Sequence, residues 1–207
     1  MIPKVERSLY QLTLAAILFV GAISNSLAAD RVTASEMRGR MQYRGFSVKR
    51  PPAGWYLNQR EQTYTQFILR KDFRQPGHTI FLMVTLNAWT VGRTTKFADA
   101  VRQLFSKSSE RGKVLSYRQS ETRLQGQQAV SDERIAQDLA LSRATGRTVI
   151  MRDHGIVVLH SAFPNAVLGI LFSERAPKEE LDDATFSLAD AMMGLVTMEV
   201  QPGVPAQ

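Results

Sequence analysis

Two adjacent carboxylates, Asp132 and Glu133, sit beside Arg134, with Arg147 a second cation further along the chain. Paired acids can divide general-acid and general-base work when burial separates their proton affinities. On a strand, neighbouring side chains alternate faces, so only one of the two can look into a pocket with Arg134 or Arg147 as its partner. A second acidic pair, Asp182-Asp183, falls in the first turn of an expected helix, where the helix dipole already accounts for it. Zinc would need three or four ligands around one point, and the spacing of His78, His154 and His160 matches no zinc signature. His78 and His154 are expected in turns and His160 in a strand, with Asp153 serving turn chemistry rather than orienting a catalytic imidazole.

Other strings of the right residue types lack the right order. Gly92-Arg93-Thr94-Thr95-Lys96 has the composition of a phosphate loop's end, but the first glycine is missing and the lysine follows the threonines instead of preceding them. A threonine that caps a helix explains it better. No Gly-x-Ser-x-Gly string offers a nucleophile on a sharp turn. The expectation is a protein that is not an enzyme and carries no cofactor and no metal. Met192, Met193 and Met198 fit helical core spacing better than an adaptable binding surface. Trp55 is expected to pin a corner to the core, and Trp89 to line a rim near a helix start.

What must position these groups begins after an export-type segment. Lys4 and Arg7 precede an uncharged run from Leu12 to Ile23, and Ser26-Leu27-Ala28-Ala29 supplies small residues for a peptidase. Residues 1–29 therefore read as a signal peptide, or as an anchor through residues 9–27 if it stays uncleaved. A periplasmic or secreted location follows. No cysteine occurs, so neither a lipid-attachment site nor a disulfide is available.

The chain is basic, with 26 Lys and Arg against 19 Asp and Glu, and its formal charge of +7 drops by one when Lys4, Arg7 and Glu6 leave with the signal. Arg31, Arg38, Arg40, Arg44, Lys49 and Arg50 gather near the mature start and suit an anionic membrane surface, lipopolysaccharide or an acidic protein face. Nucleic acid is not expected, because the basic residues lack the interleaved aromatics of a recognised RNA or single-strand module.

Residues 30–42 read as a leader with at most one helical turn. Phe46–Arg50 and Tyr64–Lys71 alternate or enrich as strands, with Gln59–Thr63 as their turn and Pro51-Pro52-Ala53-Gly54 as a corner before Trp55. Thr79–Leu86 is an apolar run suited to a central strand. Thr94 or Thr95 is expected to cap a helix from Lys96 to Ser109 whose Phe97, Val101, Leu104 and Phe105 form a stripe. Strands are expected at Val114–Arg118, Ala129–Ala136 and Thr148–Arg152, with Asp153-His154-Gly155 a turn, followed by a hairpin of Gly155–Phe163 with Ala166–Ser173. Pro177 opens a last helix running to Thr197 through Leu181, Ala184, Leu188, Met192 and Leu195, and residues 199–207 form a tail.

This order resembles the PsbP-like fold family, the photosystem II accessory proteins and their bacterial extracytoplasmic relatives. The residues that carry the resemblance are Gly45-Phe46-Ser47-Val48, Pro52 with Gly54-Trp55, Gly126-Gln127-Gln128-Ala129 and the final hairpin with its helix, over residues 43–198. The resemblance implies a single α+β domain, a curved antiparallel sheet flanked by helices in a PsbP-like sandwich. It also implies use as a docking platform or accessory subunit, and no functional residue of the family maps onto this chain by motif. The resulting expectation is an exported accessory protein that docks onto an envelope protein or assembly, with Arg44, Lys49, Arg50 and Trp89 as its candidate binding surface. The alternative is a binder of a small anionic ligand or lipid head group in a cleft between sheet and helix.

Overall fold

The computed structural model describes residues 39–70, 78–89, 96–108, 112–163 and 165–199. Ten strands alternate with short helices: β1 (Arg40–Gln42), β2 (Phe46–Lys49), β3 (Trp55–Glu61), β4 (Tyr64–Arg70), β5 (Thr79–Ala88), α1 (Phe97–Phe105), β6 (Gly112–Leu124), β7 (Gln127–Asp138), α2 (Leu139–Thr145), β8 (Val149–Leu159), β9 (Ala166–Pro177), a 3₁₀ turn (Lys178–Glu180), α3 (Asp183–Phe186), α4 (Ala189–Met193) and β10 (Val196–Met198). Seven strands form one antiparallel sheet in the order β3-β4-β5-β9-β8-β7-β6, and three form a second in the order β1-β2-β10. Both sheets are open, and the expected α+β class holds. Among the described residues no helix is long and apolar enough to cross a membrane.

The period of two along each strand divides the large sheet into two buried faces. The first face carries Phe67, Ile80, Leu82, Leu168, Ile170 and Phe172, covered by Phe46 and Val48 of β2 and by Met192 and Met193 of α4. Burying each such side chain contributes about 1.5–3 kcal/mol, so this face supplies most of the cohesion. The second face carries Val130, Val157 and Val167, covered by Ala100 and Val101 of α1 and closed at one end by Trp89. The Trp89 and Phe97 rings meet edge to face with centroids 5.4 Å apart, which fixes where the helix begins.

The corner before β3 behaves as its residues require. Gly54 has φ +90 and Trp55 is buried against Phe172, whose ring centroid lies 6.4 Å away. Gly45 has φ +79, and a Cβ there would meet Phe163 at 2.8 Å and His160 at 2.9 Å, so only glycine lets the chain pass beneath that loop.

Several expected elements are corrected by tertiary pairing. Residues 40–42, expected in the leader, form β1 and pair with β2, Met41 facing Val48. Gln59–Glu61 are strand rather than turn, because β4 pairs with β3 and not with β2. Asp153-His154-Gly155 is not a turn: β8 runs straight through it, paired with β7 and β9 along both edges. The expected helix from Lys96 to Ser109 is shorter, and its N-cap is Lys96 without a side-chain bond, while Thr94 and Thr95 lie outside the described residues.

The closing helix is broken into α3 and α4, and the chain reaches Val196–Met198 as a strand. Leu188 is 46% exposed and leaves the expected stripe. The short α2 has no buried residue and hence no apolar stripe to reveal it; Asp138 caps it by accepting from Leu141 N at 2.8 Å, and Gly146 with φ +69 ends it. The expected signal segment and residues 200–207 lie outside the described residues.

Candidate functional site

Where α1 ends, the second face of the sheet changes from apolar to charged. Register sets three residues of successive strands in one row, Leu171 on β9, Gly155 on β8 and Asp132 on β7, and a parallel row holds Ser173, Asp153 and Arg134. Tyr117 and Gln119 of β6 continue these rows opposite Arg134 and Asp132. Gln119 ties this edge to the helix by donating to Ala98 O at 2.9 Å and accepting from Tyr117 Oη at 2.8 Å.

The arrangement encloses a cavity of about 50 Å³ between the sheet and Phe105 of α1. On that measure a water needs about 10–15 Å³, so the space takes about four water-sized groups. The Asp132 carboxylate covers Gly155 on its floor, Gly169 leaves the floor open beside Thr85, and Met83, Val157 and Leu171 make its walls apolar. Asp132, Arg134 and Asp153 supply the charged part of the lining.

Those three charges differ in how they are held. Arg134 Nε donates to Asp153 Oδ2 at 2.8 Å, and its Nη2 donates to the same oxygen, forming a buried ion pair. Burial alone would lower the Arg134 guanidinium, but the Asp153 charge and hydrogen bond hold it above its ordinary value. Asp132 is only 5% exposed and lies beside this pair. Burial, reinforced by the Asp153 charge, pushes its carboxyl up to about 7 against the opposing pull of Arg134, and Glu133 adds to the rise. Burial and the Asp132 charge also raise the Tyr117 phenol. A buried carboxylate with raised proton affinity beside an apolar cavity makes this the candidate site.

The expected acids are thus sorted. Asp132 faces the cavity with Arg134, whereas Glu133 is exposed on the other face of β7. Arg147 is not a partner, since it bonds Glu179 and Glu180 at the surface. Asp153, expected in a turn, is instead the buried partner of Arg134. The sequence signal that could have exposed this is Gly155 at the head of the apolar run 156–159, because a strand glycine often marks a close approach.

The histidines go to separate places. His78, expected in a turn, is buried at the start of β5 with Nε2 2.9 Å from Glu174 Oε1. Glu174 also accepts from Arg152 Nη2 at 2.6 Å and from Asp182 N at 3.1 Å, so this network anchors the start of the closing helices. His160 lies beyond β8 with Nε2 2.7 Å from Gly45 O.

His154, on β8 rather than in a turn, has Nε2 3.3 Å from Ser131 Oγ and Nδ1 3.7 Å from Asp190. The order of these contacts is that of a hydrolase triad. The second distance is beyond hydrogen-bond reach, and Ser131 sits in mid-strand rather than on a sharp turn.

The expected binding surface is not one patch. Arg44 is exposed before β2, its guanidinium 5.5 Å from the Phe163 ring centroid, and it rims a shallow cleft with Tyr43 and Arg60. Lys49 and Arg50 are exposed at the far end of β2, about 15 Å away along an extended chain. Trp89 is 9% exposed and packs into the second core, so its ring is withdrawn from the surface by Phe97. None of the four lines the cavity beside Asp132.

No family model matches the chain, and no curated protein matches it. Solved structures do. Cyanobacterial PsbP from Synechocystis sp. PCC 6803, of the family that the sequence resembles, is 15% identical, with 77% of this chain and 91% of that chain covered at a TM-score of 0.46. PA94, a protein of unknown function from Pseudomonas aeruginosa, is 19% identical, with 74% and 92% covered at a TM-score of 0.44. A point mutant of the protein Mog1 is 14% identical, with 77% and 94% covered at a TM-score of 0.45.

Proposed function

We propose that this chain is a non-catalytic, exported binding protein that docks onto a partner protein and takes one partner side chain into the cavity between the large sheet and α1. The observation that carries this reading is the cavity itself: apolar walls, a floor that Gly169 leaves open, and one buried carboxylate lying over Gly155. Its size suits the end of one side chain better than a whole metabolite. The export reading rests on the charged, apolar and small-residue layout of residues 1–29. Absence of catalysis is supported by the charges at the cavity, where Arg134 and Asp153 are spent on a buried ion pair with each other.

The rival reading, a small anionic ligand, is disfavoured by the lining, in which two carboxylates face one guanidinium. The test is capture from native envelope fractions by the mature protein and by Gly169→Leu, which fills the cavity floor. A stoichiometric partner held by the first and lost by the second, at unchanged melting temperature, supports the reading. A partner held equally by both overturns it.

A further inference from the structure

From the same cavity we infer that the group it receives is a primary ammonium on an apolar stem, the end of a lysine side chain of the partner. The inference rests on the docking reading above and adds the chemistry of the anchor. The cavity has room for a few methylenes beside Met83, Val157 and Leu171 and is lined by Asp132 as well, so stem and charge both meet matching groups. Arg134 and Asp153 neutralise each other through their paired bonds, leaving Asp132 as the unbalanced charge. A carboxylate 5% exposed among apolar walls is costly to keep charged, and an incoming ammonium would supply a donor and a compensating charge.

Gly155 bears on the aim of this carboxylate. A Cβ at that position would stand 2.6 Å from Asp132 Oδ1, so the carboxylate lies flat across β8, over the floor of the cavity, and not upward to solvent. An anion would meet repulsion from Asp132 there, and a neutral alcohol would satisfy the hydrogen bond without the charge.

The experiment titrates isotope-labelled mature protein at pH 8 with n-butylamine, 1-butanol, butyrate and Nα-acetyl-lysine amide, following the amide signals of Asp132, Gly155 and Gly169. At that pH the Asp132 carboxyl is ionised and the amines are protonated. The expected result is saturation by butylammonium and the lysine derivative at concentrations about tenfold below 1-butanol, as one charge-assisted hydrogen bond provides. Asp132→Asn should abolish that preference, and Gly169→Leu should abolish the shifts with every probe.

Equal affinity for 1-butanol or butyrate, or a preference that survives in Asp132→Asn, overturns the ammonium while leaving the cavity as a binding site. Butylamine binding without the lysine derivative overturns the lysine. No shift with any probe, in protein whose spectrum is that of the folded state, overturns both this inference and the docking reading.

Discussion

The carboxylate of Asp132 lies across the backbone of Gly155, its register partner on β8, where any Cβ would stand 2.6 Å from Oδ1. Gly155→Ala is therefore an overpacking substitution that must expel the carboxylate or part the strands. It should destabilise the protein by about 1–3 kcal/mol in chemical denaturation. Combined with Asp132→Ala the same alanine should be nearly neutral, since the atom it strikes is gone. Equal costs in the two backgrounds would place the conflict elsewhere.

The raised Asp132 carboxyl predicts a direction for stability against pH. In the unfolded chain it titrates near 3.8, and in the folded protein near 7. Below the lower value both states are protonated and the contribution is complete. Between the two, only the unfolded chain releases its proton, so stability falls as pH rises toward 7 and levels off above it. Asp132→Asn removes this slope. Its melting temperature should match the parent near pH 4 and exceed it at pH 8, by an amount corresponding to about 1–3 kcal/mol. A parent and variant whose curves run parallel from pH 4 to 8 would contradict the assignment.

Asp153 and Arg134 answer to a different rule. Arg134→Met would leave two buried carboxylates with no cation between them, and breaking a buried pair from one side costs about 3–5 kcal/mol. The double substitution Arg134→Met with Asp153→Leu should recover much of that loss, because the uncompensated charge leaves too. Equilibrium denaturation of both variants measures the difference, and a double variant weaker than the single would refute the pairing argument.

The fold was legible wherever local and tertiary demands agreed. Thr79–Leu86 read as a strand because burial on both faces wrote a continuous apolar run, and the Gly54-Trp55 corner because only glycine adopts φ +90 there. The cavity was half legible. Asp132 with Arg134 was visible as a pair, but Asp153-His154-Gly155 has the composition of a turn. It is held straight by contacts remote in sequence: Arg134 bonds Asp153, and Asp132 occupies the space above Gly155. The breaks in the closing helix were hidden for a related reason. Leu188 and Leu195 fit a helical stripe, yet β2 needs a partner, and Val196–Met198 supply it.

The basic flank of β2 remains separable from the cavity. Arg44, Lys49 and Arg50 are exposed, so reversing all three to glutamate should shift the melting temperature by no more than about 2 °C. If the flank contacts an anionic surface, the reversal should abolish co-sedimentation with vesicles containing anionic lipid, and salt should weaken the parent's binding in parallel. Binding that survives reversal would confine the flank to solubility.

β2 takes Met41 of β1 on one edge and Val196 of β10 on the other, so one short strand is clasped by partners from the two extremes of the described chain. Phe46 and Val48, fully buried in the finished molecule, have their β10 neighbour only after nearly everything else has been delivered. A polypeptide emerging from its amino end cannot complete this core early. It stays open until the final strand arrives, so closure of this core waits on the carboxy-terminal end of the domain.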